Sequence, residues 1–313
     1  MQHKPRLWLR YLTAAAIIGT GFLVPIRFAV NVEFWERLMD YAHVPVFAAI
    51  TWFLFAHLPE RLTRSQRIGS ALFLAAALAA GIERLQEYTG REASMSDFID
   101  GVAGSILAAL ALAAWPLRAR IFWLSGVAIL GVLVSAAVLR PAWDEWRAIQ
   151  WRSAHFPLLA DFENDTDLPL WLSSLQADAP HGAEIARSRD FPSHGEWALR
   201  VSTQAATYPG ARLLCGQQDW RGHTALAFDL YNPGEPFPLA LRIDDDFPNP
   251  APGDRFLKTL PITAGWNHFQ ISTAEIAAAP ARPLHLAAIR RIVFFLDTPK
   301  SPHVFYLDHL RLD

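Results

Sequence analysis

The sequence is poor in cysteine and nearly balanced in charge. Only one of its 313 residues, Cys215, is a cysteine, so no disulfide can form within the chain. The formal net charge is −2, which offers no electrostatic basis for nucleic-acid binding. A disulfide-rich secreted scaffold and a basic nucleic-acid-binding protein are therefore both excluded. Any domain outside the cytoplasm must rest on its own hydrophobic core, for which about 150 residues suffice.

The apolar residues are distributed unevenly along the chain. Ala, Leu, Ile, Val, Phe and Gly dominate as far as Leu139, whereas Pro, Asp, Asn, His and Trp separate short apolar runs after Arg140. This shift predicts a transmembrane helical domain over residues 1–140 and an extracytoplasmic domain over residues 158–313. Residues 141–157 are predicted to form an interfacial linker, because Trp143, Trp146 and Trp151 suit the lipid headgroup layer.

The first domain is predicted to be a bundle of about five membrane-spanning helices. A bilayer core requires about 20 mostly apolar residues per helix. The segments that approach this length are Leu9–Val30, Val44–Leu58, Ile68–Tyr88, Phe98–Leu117 and Ile121–Leu139, of which the second is short. The first follows a basic stretch and has no convincing cleavage site, so we expect a retained signal anchor.

Basic residues in alternate loops predict the orientation of this bundle. Arg61, Arg64 and Arg67 separate the second and third segments, and Arg118 and Arg120 separate the fourth and fifth. Because Lys and Arg favour cytoplasmic loops, we expect a multi-pass protein of the bacterial inner membrane. Its N-terminus is then cytoplasmic, and its C-terminal domain extracytoplasmic.

Polar residues gather at the predicted outer ends of these helices, where ionisable groups are costly and indicate function or mutual pairing. They are His43, Glu83, Gln86, Arg91, Ser94 and Asp97. Two interpretations remain open. In the first, the residues form buried ion pairs that hold the helix ends together, and Gly101 and Ser105 form a small-residue packing seam. In the second, they line a polar pocket that binds a phosphate or an amide-rich headgroup. No nucleophile or metal-ligand spacing is evident, so enzymatic activity is uncertain and binding is favoured over catalysis.

The same residues follow a recognisable pattern. His43 precedes Phe47 by four positions, Glu83-x-x-Gln86 follows, and Gly90-Arg91-x-x-Ser94-x-x-Asp97 leads to Gly104. The pattern, over about residues 25–118, resembles the VanZ-like family, which implies a cell-envelope membrane protein linked to antibiotic resistance but implies no reaction. The sequence departs from the family at Asp40, three rather than four positions before the histidine, and at Gly101, where an Asn is usual.

The second half changes to a period of two. Leu226, Phe228 and Leu230 alternate with other residues, as do Ile292 and Phe294, and Pro- and Gly-containing turns separate such runs. Short alternating strands with these turns predict an all-β sandwich. The apolar phase switches at Asp308 in the last strand, which predicts a β-bulge there.

Residues 158–313 also resemble jelly-roll carbohydrate-binding modules of the galactose-binding-like type. The resemblance rests on Asp161–Glu163, the run Leu226–Asn232, the pair Trp266-Asn267 and the closing strand around Asp308. It implies a glycan ligand and a structural calcium ion shared by Glu163 and Asp308. Sugar rings stack on aromatic side chains. The candidates for such a platform are Trp197, Trp220, Tyr231 and Trp266.

Together these features predict an envelope membrane protein with an outer glycan-binding domain and a non-catalytic role. The expected partners are membrane lipid and a glycan or polysaccharide, and no cofactor is expected beyond the candidate calcium. One alternative is an enzyme or carrier that handles a lipid-linked or anionic headgroup through Glu83, Arg91 and Asp97. Another is a sandwich that serves as a protein-interaction module. The oligomeric state is left open.

Overall fold

The computed structural model describes residues 35, 41–89, 95–117, 119–174, 182–247 and 250–313. The chain divides into two compact units between Ala142 and Trp143. The predicted first span, Leu9–Val30, lies outside the described residues, as do Arg91, Ser94 and the side chain of Gln86.

The first unit is helical. Its elements are α1 (His43–His57), α2 (Arg64–Thr89), α3 (Met95–Ala114) and the first part of α4 (Arg120–His155). Within the described part of the chain, three helical stretches are long and apolar enough to cross a membrane: Arg64–Leu85, Met95–Ala114 and Ile121–His155. Helix α1 is apolar but only 15 residues long. The helical region is therefore confirmed, whereas the predicted count of about five spans is not.

Helices α1 and α3 pack with their backbones in close contact. A Cβ atom at Gly104 would lie 2.0 Å from the Val44 carbonyl oxygen, and one at Gly101 would lie 3.0 Å from the Phe47 ring. Ser105 is buried on the same side of α3 and donates its hydroxyl to the Gly101 carbonyl at 2.9 Å. Small residues thus permit this approach, as in many membrane helix pairs. The predicted small-residue seam is confirmed.

Helix α4 continues without interruption through Pro141 to His155. The part that belongs to the second unit, residues 143–155, is packed into that unit: Ala148 joins its hydrophobic core, and Arg152 is buried and donates to the Leu214 carbonyl. In place of a separate linker over 141–157, the structure therefore has a helix whose inner face is part of the second unit. Its exposed face carries Trp143 and Trp146, whose rings stack 4.9 Å apart.

The second unit is a β-sandwich. Its described strands are β1 (Leu158–Ala160), β2 (Trp171–Ser174), β3 (Ala183–Ser188), β4 (Ala198–Thr203), β5 (Pro209–Gln218), β6 (Ala225–Asn232), β7 (Phe237–Asp245), β8 (Phe256–Ile262), β9 (Gly265–Ser272), β10 (Ile289–Phe295) and β11 (Val304–Leu312), and a short helix α5 (Thr273–Ala277) follows β9.

All paired strands are antiparallel and form two sheets. Sheet A has the order β3-β4-β11-β6-β9, with β1 also paired to β11, and sheet B has the order β2-β5-β10-β7-β8. From β4 to β11 the chain changes sheet at every connection except the β7–β8 hairpin, and β4 and β11 are neighbours in sheet A. This is the double Greek key of a jelly roll. The predicted jelly-roll sandwich is confirmed.

The core lies between the sheets and contains the alternating residues that the sequence pattern identified. Phe228 of sheet A and Phe294 of sheet B meet edge to face with ring centroids 5.1 Å apart. Cys215 is also buried in this core, and burial raises the pKa of its thiol to about 11. In β11 the register shifts between Asp308 and Arg311, and His309 has a φ of 49°. The predicted bulge is confirmed.

Candidate functional site

Three ionisable side chains converge at one end of the helical bundle. His43 begins α1, Glu83 lies near the end of α2, and Asp97 lies in the first turn of α3. One ligand atom from each lies within 4.8 Å of the others. His43 Nε2 is 3.9 Å from Asp97 Oδ2, and both side chains are almost fully buried, whereas Glu83 is half-buried. We call His43, Glu83 and Asp97 the bundle-end triad.

The close packing of α1 on α3 explains the geometry of the triad. Because glycines let the two backbones approach, the first turns of α1 lie directly beside Gly101 and Gly104 in the second and third turns of α3. The ring of Phe47 lies one turn beyond His43, parallel to the imidazole within 8° and 6.3 Å away, and it restricts the orientation of that ring. Two triad residues, His43 and Asp97, therefore lie on helices whose relative position is set by main-chain contact.

The structure brings together three of the six polar residues that were predicted to form one cluster. Arg91 and Ser94 and the side chain of Gln86 lie outside the described residues, so the predicted bridge from Arg91 to Glu83 and Asp97 stays a prediction. Among the described members, Asp97 approaches His43 as well as Glu83. The sequence did not suggest metal-ligand spacing, because each of the three residues comes from a different helix.

A second candidate site lies on the outer face of sheet A. Tyr306 of β11, Tyr231 of β6 and Trp266 of β9 are paired in register, so they form a row across three neighbouring strands. Phe191, from the loop before β4, stacks on Tyr231 with ring centroids 3.9 Å apart. Trp266 meets the edge of Tyr231 at 5.1 Å. We call Phe191, Tyr231, Trp266 and Tyr306 the aromatic surface.

The aromatic surface is open to solvent and has polar neighbours. Trp266 is 40% exposed and Phe191 41% exposed, whereas Tyr306 is buried and packs against Phe191 with ring centroids 5.2 Å apart. In the next row of the sheet, the Asp229 carboxylate and the His268 imidazole form a hydrogen bond of 2.6 Å between Oδ1 and Nδ1. His268 also lies parallel to the Trp266 ring at 6.0 Å. Rings and hydrogen-bonding groups are thus presented side by side.

Two of the four predicted platform residues are placed elsewhere. Trp220 is fully buried in the core, so its assignment to a surface platform was wrong; sandwich cores also require large rings. Trp197 is half-buried, and the guanidinium groups of Arg187 and Arg189 lie 4.1 Å and 4.8 Å from its ring centroid. Its ring is therefore engaged in cation–π contacts. Tyr231 and Trp266 are the two candidates that belong to the aromatic surface.

The two residues predicted to share a calcium ion, Glu163 and Asp308, both hold the loop before β4. Glu163 Oε1 accepts hydrogen bonds from the backbone N–H groups of Glu196 and Trp197 at 2.9 and 3.0 Å. Asp308 Oδ2 accepts from the N–H groups of Ser193 and His194 at 2.8 and 2.9 Å.

Burial raises the pKa of Asp308 above its usual range, and these N–H donors oppose the shift. The carboxylates thus anchor the loop that carries Phe191 by hydrogen bonds. Their binding of calcium stays a prediction.

The sequence reasoning missed Phe191, Tyr306, Asp229 and His268. A signal for two of them was present: Tyr306 and Asp229 stand in the opposite phase to the core residues of β11 and β6 and therefore face outward. Phe191 had no such signal, because it comes from a loop, where it has a φ of 52°.

No family model matches the chain, and no curated protein matches it. The VanZ-like family therefore stays a prediction. Similar solved structures include a family 11 carbohydrate-binding module from Clostridium thermocellum in complex with a β-1,3-1,4-mixed-linked tetrasaccharide, at 19% identity and a TM-score of 0.39, covering 50% of this chain and 93% of that one.

Two further structures are similar to about half of the chain. A family 30 carbohydrate-binding module of the cellulosomal cellulase Cel9D-Cel44B from Clostridium thermocellum has 15% identity and a TM-score of 0.34, covering 46% of this chain and 91% of that one. An exo-β-agarase has 16% identity and a TM-score of 0.39, covering 50% of this chain and 25% of that one.

Proposed function

We propose that this chain is a membrane-anchored glycan-binding protein of the bacterial cell envelope, and that its aromatic surface binds a polysaccharide. The observation that carries the proposal is the row of Tyr306, Tyr231 and Trp266 on the outer face of sheet A, on which the exposed Phe191 stacks. Tyr306 is buried beside Phe191, so the rings open to a ligand are those of Phe191 and Trp266, with the half-buried Tyr231 between them. These rings can pack against the face of a sugar.

The chemistry of the aromatic surface suits a sugar. The apolar face of a pyranose packs against an aromatic ring, and its hydroxyl groups require donors and acceptors at the edge. Asp229 supplies carboxylate oxygens, and the well-exposed His268 supplies ring nitrogens. Aromatic residues on a sheet also stabilise cross-strand packing without any ligand. The exposure of Phe191 and Trp266 argues for more than packing, because large apolar rings that cluster on one exposed face are typical of binding sites.

Binding of the full-length protein in detergent to an array of bacterial and plant polysaccharides tests this proposal. Calorimetry on the best ligand should then show that Trp266→Ala weakens binding by about tenfold or more, because the loss of one stacked ring removes about 1.4 kcal/mol. Phe247→Ala is the matched control. Phe247 is equally exposed on the sandwich but lies outside the aromatic surface, and the Arg282 guanidinium lies 4.2 Å from its ring centroid.

The Phe247→Ala protein should bind the glycan as the unaltered protein does. Absence of binding to any polysaccharide, or unchanged affinity in Trp266→Ala, would contradict the proposed function.

The proposal includes an orientation in which the sandwich lies outside the cytoplasm. Arg61, in the connection between α1 and α2, and Arg64 and Arg67, in the first turn of α2, support it, since clustered arginines at helix ends favour the cytoplasmic side. Alkaline phosphatase fused after Asp313 should therefore be active in a bacterial host, because the enzyme matures only outside the cytoplasm. The control is a fusion to the loop at Arg61, which should be inactive. A fluorescent cytoplasmic reporter that functions at the C-terminus would reverse this orientation.

A further inference from the structure

We infer that the bundle-end triad of His43, Glu83 and Asp97 is a binding site for a divalent transition-metal ion such as Zn²⁺. The three residues come from α1, α2 and α3, and each offers one ligand atom within 4.8 Å of the other two. This site is independent of the aromatic surface, which lies on sheet A of the other compact unit. Neither site requires the other.

The ligand types select the class of metal. One imidazole nitrogen with two carboxylate oxygens is a donor set that Zn²⁺, Mn²⁺ and Fe²⁺ accept, with bonds of about 2.0–2.2 Å for Zn²⁺. The 3.9 Å between His43 Nε2 and Asp97 Oδ2 leaves space for an ion bonded to both atoms. Calcium and magnesium prefer oxygen ligands alone, so the histidine argues against them.

The charge of the site also favours a divalent cation. Two carboxylates this close together repel each other, and the repulsion is strongest in a buried, apolar setting. Asp97 is almost fully buried beside His43. A divalent ion would neutralise both carboxylates and take the imidazole as a neutral ligand at Nε2.

The site is built to hold its ligands in place and to leave the ion accessible. His43 and Asp97 are fixed by the glycine-mediated contact of α1 with α3 and by the Phe47 ring. Glu83 is only half-buried. Zinc takes four ligands, so three protein ligands leave at least one position for a group from solution, as in zinc sites that bind or activate small ligands.

The test uses the full-length protein, purified in detergent with a tag that contains no histidine and stripped of metal with a chelator. Zn²⁺ binding is followed by calorimetry, and the bound metal by mass spectrometry. We expect one tight equivalent that is lost in Glu83→Gln and His43→Ala. His57→Ala is the matched control, because His57 is an exposed histidine at the other end of the same helix; it should keep the full equivalent.

Glu83→His gives a second test that does not depend on loss of binding. Replacement of a carboxylate by an imidazole keeps a zinc ligand but weakens a manganese site. Glu83→His should therefore retain Zn²⁺ and lose Mn²⁺ relative to the unaltered protein. Co²⁺ added to the unaltered protein should give the strong visible absorption of a four- or five-coordinate ion, which reports the site even if the variants fail to fold. Absence of that absorption, or one Zn²⁺ equivalent retained by Glu83→Gln, would overturn the inference.

Discussion

At the scale of single residues, two carboxylates hold a loop in place by accepting hydrogen bonds from its backbone. Glu163 and Asp308 belong to distant parts of the chain, yet both accept backbone N–H groups of residues 193–197. Charge-assisted bonds of this kind are stronger than neutral ones. They position the loop from which Phe191 reaches the aromatic surface.

Gly195 makes this arrangement possible and provides a sharp prediction. Its φ is 66°, and a Cβ atom there would lie 2.3 Å from the Glu163 carboxylate, whereas Gly222 has a φ of 87° with open space around it. Gly222→Ala should cost about 1–2 kcal/mol, the backbone penalty alone. Gly195→Ala should cost clearly more, because it also displaces Glu163, and chemical denaturation measures both. An equal loss of unfolding free energy in the two variants would mean that Glu163 does not hold the loop in place.

Asp167 provides a prediction about pH. Its side chain is buried, and burial raises its pKa from 3.8 to about 6, while hydrogen bonds from the Phe162 and Asp161 N–H groups oppose the shift. Because the folded state holds the proton more tightly, Asp167 stabilises the fold below pH 4, and this stabilisation is lost as the pH rises through 6. The total change is at most about 3 kcal/mol.

Asp167→Asn should therefore gain stability relative to the unaltered protein between pH 4 and pH 7, since an amide can still accept both N–H groups. Urea unfolding of the sandwich unit at several pH values measures the difference. Asp165→Asn, an exposed neighbour in the same 3₁₀ turn, is the control and should show no such gain. A stability difference between Asp167→Asn and the unaltered protein that stays constant from pH 4 to pH 7 would refute the raised pKa of Asp167.

At the scale of elements, the contact between α1 and α3 depends on one glycine. A Cβ atom at Gly104 would meet the Val44 carbonyl oxygen at 2.0 Å, and that oxygen cannot move without the helix. Gly104→Ala should therefore lower the melting temperature of the protein in detergent. Gly81→Ala in α2, where a Cβ atom would meet nothing within 4 Å, should be neutral or stabilising, because Ala favours helix by about 1 kcal/mol over Gly. Equal melting temperatures for the two variants would contradict the role of Gly104 in the close packing of α1 on α3.

The helices and strands also show which features of the fold the sequence could predict. Period-two runs such as Leu226–Leu230 predicted strands, and the phase switch at Asp308 predicted the bulge, because both patterns are local. The composition shift near Arg140 predicted an interfacial linker over residues 141–157, and the structure shows that the helix α4 runs on through this segment to His155. The burial of Ala148 and Arg152 depends on strands that are distant in the sequence, and no local pattern carries that information.

The same distinction applies to the sites. Polarity at the helix ends predicted His43, Glu83 and Asp97 as a group, but their mutual distances follow from packing that only the structure shows. Period-two phase could place Tyr231 on the outer face, whereas Trp220 and Trp266 look alike in sequence and have opposite burial. Composition alone does not separate a core ring from an exposed one.

At the scale of the whole molecule, the second compact unit begins at Trp143. A fragment of residues 143–313 should fold cooperatively, and a fragment of residues 156–313 should be less stable by at least about 2 kcal/mol. The shorter fragment lacks the buried Ala148 and the bond from Arg152 to the Leu214 carbonyl, and bonds from charged donors contribute about 1.5–3 kcal/mol. Equal stability in urea would show that the helical segment adds nothing to the unit.

The lone thiol of Cys215 has a practical consequence for experiments on the intact protein. Thiolates, not thiols, react with alkylating dyes, and Cys215 is both buried and held in its thiol form. A dye can therefore label the chain only during moments when the sandwich opens. Because the chain has no second cysteine, the labelling rate measures how often the sandwich opens. This measurement is possible in a living cell, where unfolding cannot be followed by spectroscopy.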